Sequence, residues 1–484
     1  MTIPKFRVVE SRVVVRNAFT RLPFRFGVVT MEAAPVGILR VEVEFENGAR
    51  ASGVASDFLA YKWFDKSPEK TPADNVADLL QAIRDARAVY SEAGFGTPFG
   101  LWFSTREEIE AKSLARGFNR LGASFASSMM ERAVIDAVGR HSGLTFDQMV
   151  RENSLSIDPS ALLPEVGYSD MLGALPARPL DDVALRHTVG LVDPISAADK
   201  EEDAPKDGFP VTLEEYLAID KLRYLKVKVG GQIEEDIDRL TQIAEVVRTA
   251  GQPIQMTFDG NEQYKNLEDF VALVERIKAT PALEALWKSV LFIEQPLHRD
   301  VAMAAPLPAD AVAAIGKPLL IDEADGWAEA FYDAIELGYE GVSHKNCKGV
   351  YRSLINTGLA AVRNRANSDK HYFLSAEDLT NLAVVPLQAD LAVIATLGIP
   401  HVERNGHHYF CGLDHLPESE WAAALKQHAG LYEPHGKSGA LRIDNGMLDL
   451  RSLQVPGLGA SDLPDLDNGV AEEDWKFEML ENKP

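Results

Sequence analysis

Residues 225–229 read Leu225-Lys226-Val227-Lys228-Val229, and the next three apolar runs each end on an acid. Those runs close as Phe258-Asp259-Gly260-Asn261, Phe292-Ile293-Glu294-Gln295-Pro296 and Leu320-Ile321-Asp322-Glu323. Side chains two apart in a strand share a face, so both lysines point one way and their valine neighbours the other. Alone, the lysine pair fits an exposed edge strand, and each acid fits a helix N-cap or a loop. Three acids on consecutive strands are a different matter. Adjacent strands lie about 4.8 Å apart, so the carboxylates converge, and their repulsion calls for a hard divalent cation among them. An oxygen-only ligand set favours Mg²⁺, with water or substrate completing an octahedron. A sixth run, Val342-Ser343-His344-Lys345, brings another ammonium to the same rim, across the mouth from Lys226 and Lys228. A lysine that removes protons near neutral pH needs its pKa brought from about 10.4 to about 7.5, roughly 4 kcal/mol of differential interaction.

These runs belong to a longer series. Strand candidates are Val183 to Val189, Tyr224 to Val229, Ile254 to Asp259, Val290 to Glu294, Leu319 to Asp322, Gly341 to Lys345, Tyr372 to Ser375 and the neighbourhood of His401 to Glu403. From the second onward their starts recur every 22 to 36 residues. Amphipathic helices lie between them, with apolar faces such as Ile233, Ile237, Leu240, Ala244, Val247 and Phe270, Leu273, Val274, Ile277. The pattern predicts an α/β fold, a TIM-type (β/α)7β barrel over 181–412. A doubly wound open sheet is the alternative, but no GxGxxG or P-loop follows any strand.

Before the barrel, Phe6 to Asp57 alternates apolar and polar residues, with Asn47-Gly48 as a two-residue hairpin turn, and Ala73 to about Gly139 is helical in period. Residues 1–140 therefore read as an α+β domain. Residues 141–180, with Pro159, Pro164, Pro176 and Pro179, read as a linker, and 196–207 as an exposed acidic excursion. Residues 413–484 read as a C-terminal segment that packs back on the N-terminal domain.

Composition narrows the function classes. The 484 residues are 46% hydrophobic and 25% charged, ordinary for a globular protein and unlike a disordered chain. A formal charge of −24 repels nucleic-acid phosphates and anionic membranes, so neither is an expected partner. Cys347 and Cys411 form no disulfide framework. No signal-like apolar region opens the chain and no window holds eighteen uninterrupted apolar residues, which predicts a soluble, cytoplasmic protein.

Lys226-x-Lys228, Asp259-x-Asn261, Glu294-Gln295-Pro296, Asp322-Glu323 and Lys345, in this order on successive strands, resemble the enolase superfamily, specifically its muconate lactonizing enzyme-like subgroup within the mandelate racemase/muconate lactonizing enzyme family. Leu22-Pro23-Phe24-Arg25-Phe26-Gly27 and the helix around Glu131 to Asp136 resemble that family's capping domain. The resemblance implies that Asp259, Glu294 and Asp322 bind Mg²⁺ and that Asn261 and Glu323 support the site. It implies that Lys228 and Lys345 are acid/base groups on opposite faces of a small carboxylate substrate, while Lys226 stabilises the enediolate and tunes Lys228. The reaction implied is abstraction of the proton α to a carboxylate through a metal-stabilised enolate: a racemase, epimerase or cycloisomerase, or a lyase. A capping domain would close over the barrel mouth through loops near Thr20 to Phe26 and Phe58 to Phe64, and a homo-oligomer is implied.

Some positions depart from the pattern. Asn346-Cys347-Lys348-Gly349 replaces the subgroup's glycine pair and makes Lys348 a competitor of Lys345. Val402-Glu403-Arg404 lacks the Asp-x-Asp with which dipeptide epimerases hold a substrate amine. The seventh strand is followed by Glu377-Asp378 and the sixth by Lys345, so the His-Asp dyad of acid-sugar dehydratases, the alternative enzymatic reading, is missing. His371 falls at the opposite rim; His407, His408, Glu377 and Asp378 follow strands near the mouth, and Cys347 has no evident base. A non-catalytic barrel that binds metal and carboxylate is the alternative of another class.

Overall fold

The computed structural model describes residues 4–26 and 29–481, without the side chains of Phe26 and Val29; Gly27 of the Leu22–Gly27 motif lies outside the described residues. The barrel strands are β4 (Asp182–Val189), β5 (Tyr224–Lys228), β6 (Gln255–Asp259), β7 (Val290–Glu294), β8 (Leu319–Ile321), β9 (Gly341–His344), β10 (Phe373–Ala376) and β11 (His401–Arg404), once β1 to β3 are assigned to the N-terminal sheet below. Each pairs in parallel with the next, and β11 pairs with β4, so the sheet closes. Closure removes every edge within this ring, which disposes of the edge-strand reading of Lys226 and Lys228. Seven crossover helices, Leu213–Ile219, Ile233–Ala250, Leu267–Ala279, Ala309–Ile315, Ala330–Glu336, Val350–Ala366 and Val385–Leu397, complete the (β/α)7β order. Their sequences explain their faces: in Ile233–Ala250 the buried residues Ile237, Leu240 and Ile243 recur at helical spacing, and Gly251 ends the helix at φ 71°. Register places Lys228 beside Asp259, and Asp259 beside Glu294, at the C-terminal ends of their strands.

The N-terminal sheet is a meander of β1 (Phe6–Phe26), β2 (Val29–Phe45) and β3 (Arg50–Phe58), followed by α1 (Pro72–Glu92), α2 (Pro98–Ala115) and α3 (Arg120–Ser142). Thr71, Thr97 and Asn119 cap the three helices with their side chains. The turn at Asn47-Gly48 is longer than the expected two residues. Glu44 pairs with Arg50, Gly48 sits at φ 81°, and Asn47 Oδ1 accepts the Ala49 N–H at 3.0 Å. The side chain thus stabilises a bulged loop that the dipeptide alone does not specify. Helix α3 lies directly on β3 because residue 53 is glycine; a Cβ there would stand 2.1 Å from Ala133 O.

The stretch 141–180, expected as a linker, carries helices Phe146–Arg151 and Tyr168–Ala174 and buries Met149, Val150, Val166 and Met171. The excursion after β4 ends at Asp207, whose carboxylate receives Arg21 Nε at 2.6 Å and Nη2 at 3.0 Å, so it ties β1 to the barrel. Beyond the barrel, Met447–Asp449 pairs antiparallel with the foot of β4, Val470–Ala471 pairs with β1, and Trp475 Nε1 donates to Asn17 Oδ1 at 3.0 Å. Among the described residues no helix is long and apolar enough to cross a membrane.

Asp136 joins three of these parts. Its carboxylate, 1% exposed, accepts the N–H groups of Val54 on β3 (3.0 Å) and Leu458 in the C-terminal segment (2.9 Å), and Arg140 Nε at 2.8 Å. Replacing it by alanine strands two buried backbone donors, so Asp136→Ala is expected to lower unfolding stability by about 3 kcal/mol in urea titration, whereas a loss under about 0.5 kcal/mol would contradict this account.

Candidate active site

The strand ends bring acids and ammoniums together around the barrel mouth, with three consecutive acids set between the lysines of two opposed strands. Lys226 and Lys228 leave β5, Asp259 leaves β6 and Glu294 leaves β7; Asp322 follows β8, Lys345 follows β9 and Glu403 stands on β11. Strands β5 and β9 are second and sixth in the ring, so their lysines face each other across the mouth. A cavity of about 50 Å³ is lined by Lys226, Lys228, Asp259, Asn261, Asp322, Lys345, Asp378 and Glu403 on the barrel side. Phe24, Phe58, Ala60, Trp63 and Lys66 of the N-terminal domain roof it. Both expected roofing loops therefore reach the mouth.

The lysines are tightly paired. Lys228 Nζ lies 2.5 Å from Asp259 Oδ2, and Lys345 Nζ lies 2.8 Å from Asp322 Oδ2 and 4.5 Å from the centre of the Trp63 ring, a cation–π contact. Lys226, 1% exposed, sits within 3.0 Å of Asp259, Glu294, Glu377 and Glu403. Burial alone would depress the lysines, but Asp322 holds Lys345 above the usual lysine value, and Asp259 and Glu294 hold Lys226 well above it. For these two lysines this is opposite to the lowering expected of a base: both ammoniums are matched to carboxylates, and for Lys345 the neighbouring positive charge of Lys226 is a weaker influence than Asp322.

The acids divide in the same way. Burial raises Asp259 and Asp322, yet Lys226 and Lys228 bring the first below the usual carboxylate range, and Lys345 and Lys348 bring the second well below it. Glu294 is pushed well up by burial and then by Asp259 and Glu377, and Glu323 is pushed up to about 7 by burial and then by Glu262 and Asp322. Glu294 Oε2 has the Lys226 ammonium at 2.7 Å without an aligned hydrogen bond, and both oxygens of Glu323 are buried without one. Among the described residues no three His, Cys, Asp or Glu side chains form a ready metal cage, because the carboxylates turn onto lysines. An all-oxygen donor set in which Glu294 Oε2 is ion-paired but lacks an aligned hydrogen bond nonetheless suits a hard cation, and Asp259, Glu294 and Asp322 are the groups that could hold it.

Other candidates fall elsewhere. Asn261, at φ 44°, contributes its backbone: its N–H donates to Asp259 Oδ1 at 2.7 Å. Lys348 stands outside the cavity, donating to Asp322 Oδ1 at 2.8 Å, Asp322 O at 2.7 Å and Ser343 Oγ at 2.6 Å, so its protons are committed. Cys347 is buried and its thiol is pushed up by burial. His407 Nε2 contacts His187 Nδ1 at 3.0 Å and His408 Nδ1 contacts Tyr216 OH at 2.9 Å, in a cluster beside the cavity but not lining it. His371 is exposed on the foot of β10. Glu377 lies under Lys226, bonded to Arg186 and to Ser375 Oγ, while Asp378 reaches the cavity and accepts Arg404 Nη1 at 3.2 Å.

The groups missed by sequence reasoning are Glu262, Lys66, Arg299 and the inward role of Glu403. Glu403 ends an apolar run as the recognised acids do, a signal present in Val402-Glu403. Lys66 and Arg299 have no local signature, since they meet only in the folded chain. Arg299 donates to Trp63 O at 2.8 Å, Phe64 O at 2.9 Å and Glu262 Oε1 at 2.7 Å; Lys66 pairs with the same Glu262 and lies 3.9 Å from Glu323.

No protein-family model matches the sequence, and no curated protein matches it. Solved structures do. A mandelate racemase/muconate lactonizing protein from Herpetosiphon aurantiacus aligns over 95% of this chain and 98% of its own, with 16% identity and a TM-score of 0.54. An enolase from Bradyrhizobium, complexed with magnesium and mandelic acid, aligns over 95% and 96%, with 15% identity and a TM-score of 0.56. A dipeptide epimerase from Cytophaga hutchinsonii, complexed with Mg and the dipeptide D-Ala-L-Val, aligns over 96% and 97%, with 14% identity and a TM-score of 0.56. The chain thus shares the fold of these proteins, a capped TIM-type barrel.

Arg299 is one of the bonds between roof and barrel. In Arg299→Ala the Trp63 carbonyl loses its side-chain donor and the Phe64 carbonyl keeps only Asn119 Nδ2 at 2.6 Å, and amide hydrogen exchange over residues 59–66 is expected to rise at least tenfold while the barrel strands stay protected; unchanged exchange there would contradict the latch.

Proposed function

We propose that the chain is a Mg²⁺-dependent enzyme of the enolase superfamily, close to the muconate lactonizing enzyme-like subgroup, that removes the proton α to the carboxylate of a small acid. The observation that carries this reading is the pair Lys228 and Lys345 on opposed strands, both lining one small cavity whose floor holds Asp259 and Asp322. Asp259, Glu294 and Asp322 would hold Mg²⁺. When bound, the ion would neutralise the negative charge that builds on the substrate carboxylate as the α-proton leaves.

The chain's own residues supply the rest. Lys228 and Lys345 approach a bound acid from its two faces, so one takes the proton while the other can return one from the opposite side. That geometry suits racemisation or epimerisation, and cycloisomerisation uses the same base with a different fate for the proton. Asp259 and Asp322 orient the two ammoniums at 2.5 Å and 2.8 Å, and a lysine would be freed to act as a base if its carboxylate turned to a bound cation. Phe24, Phe58 and Trp63 exclude water from the roof. Neighbours complexed with magnesium and mandelic acid, or with Mg and a dipeptide, support a small carboxylate as substrate. The imidazoles of His407 and His408 turn onto His187 and Tyr216, which gives the dehydratase alternative no support.

Incubation in D₂O with Mg²⁺ and a library of amino-acid derivatives, dipeptides, hydroxy acids and sugar acids is expected to produce deuterium at an α-carbon, read by mass spectrometry. Lys228→Ala and Lys345→Ala should each lower the rate of exchange by about 10²- to 10⁴-fold, and a chelator should abolish it. Exchange that survives both substitutions would overturn the two-lysine reading.

A further inference from the structure

Lys226 carries three N–H groups, and all are placed: on Glu294 Oε1, Glu377 Oε2 and Glu403 Oε2, each at 2.9 Å, with Asp259 Oδ2 at 3.0 Å. One ammonium therefore touches two carboxylates of the proposed metal site and two that lie outside it. A divalent cation drawn to Asp259 and Glu294 would repel an ammonium held on the same two carboxylates, and burial leaves that repulsion little screened. Lys226 is 1% exposed, so water cannot replace a partner that it loses.

We infer that Glu377 and Glu403 are positioning residues that hold the Lys226 ammonium off the metal carboxylates, and that Mg²⁺ affinity depends on them through Lys226; this rests on the Mg²⁺ reading proposed above. Both are fixed independently of Lys226. Glu377 is bonded to Arg186 and to Ser375 Oγ at 2.6 Å; Glu403 accepts Thr188 Oγ1 at 2.7 Å and the Asp378 N–H at 3.0 Å. When Asp259 and Glu294 turn to the cation, Lys226 keeps two of its three hydrogen bonds without moving. Without Glu403 only Glu377 remains to it beside Asp259 and Glu294, so it stays on those two and competes with the ion. A lysine held in this way is a fixed charge at the barrel axis, and proton transfer is left to Lys228 and Lys345.

The test is a double-mutant cycle on Mg²⁺ binding, measured by calorimetry on the full chain with wild type, Glu403→Gln, Lys226→Met and the double variant. Glu403→Gln is expected to weaken Mg²⁺ binding about 10- to 100-fold in the wild-type background, the range seen when supporting groups around a metal site are removed. In the Lys226→Met background the same substitution should change binding less than about twofold. Equal weakening in both backgrounds would overturn the inference, because Glu403 would then act on the ion through its own charge. No weakening in the wild-type background would overturn it as well. Should Glu403→Gln or Lys226→Met fail to fold, Thr188→Val, which frees Glu403 from its hydroxyl, must weaken binding in the same direction by a smaller factor, and no change would count against the inference. Wild-type protein that binds no Mg²⁺ would overturn the metal reading itself and this inference with it, a result distinct from an absent coupling.

Discussion

Buried carboxylates crowded at one end of a barrel are sustainable only if cations are interleaved among them, and this requirement organises the molecule from the barrel axis to the roof. Lys226 answers four acids at the axis, Lys228 answers Asp259, and Lys345 and Lys348 answer Asp322 from opposite sides. The lysines do not satisfy everything. Glu294 and Glu323 remain pushed toward their neutral forms, first by burial and then by neighbouring carboxylates. A site whose carboxylates disfavour one another's charged forms in this way would be relieved by a further cation, which is the physical basis for reading it as a metal centre.

The same requirement explains why roof and barrel form one unit. Glu262, one residue beyond Asn261, takes charge from Arg299 and from Lys66, and Arg299 at the same time holds the carbonyls of Trp63 and Phe64. A carboxylate close to the candidate metal ligands is thus neutralised by groups that also fix the lid. Arg21 and Asp207 repeat the device on the other side of the mouth, where the acidic excursion after the first barrel strand meets the N-terminal sheet. Charge balance and closure are served by the same side chains.

Much of this was legible in the chain. The eight barrel strands follow from short apolar runs at a regular spacing, and the gathering of Lys226, Lys228, Asp259, Asp322 and Lys345 follows from their place at the ends of those runs. What stayed hidden depends on tertiary distance. The commitment of Lys348 to Asp322 and Ser343 depends on a turn that points it away from the cavity. Glu377 and Glu403 acquire meaning only once Lys226 is seen to reach the barrel axis. The helices of 141–180 were obscured by their prolines, which stand at the margins of packed elements there, and the Asn47-Gly48 turn was lengthened by a bulge set by the Asn47 side chain. For Lys226 and Lys345 the pKa lowering expected from burial failed because each of these ammoniums met carboxylates at hydrogen-bond distance.

The central claim is that Asp259, Glu294 and Asp322 together hold a divalent cation while Lys226 stays with Glu377 and Glu403. Crystals grown with Mn²⁺, with data collected near the manganese absorption edge, test it directly. The account predicts one anomalous peak with oxygen atoms of all three carboxylates at coordination distance, and Lys226 Nζ within hydrogen-bond distance of Glu377 and Glu403 alone. A peak elsewhere in the molecule, or a cavity without one at saturating Mn²⁺, would contradict it.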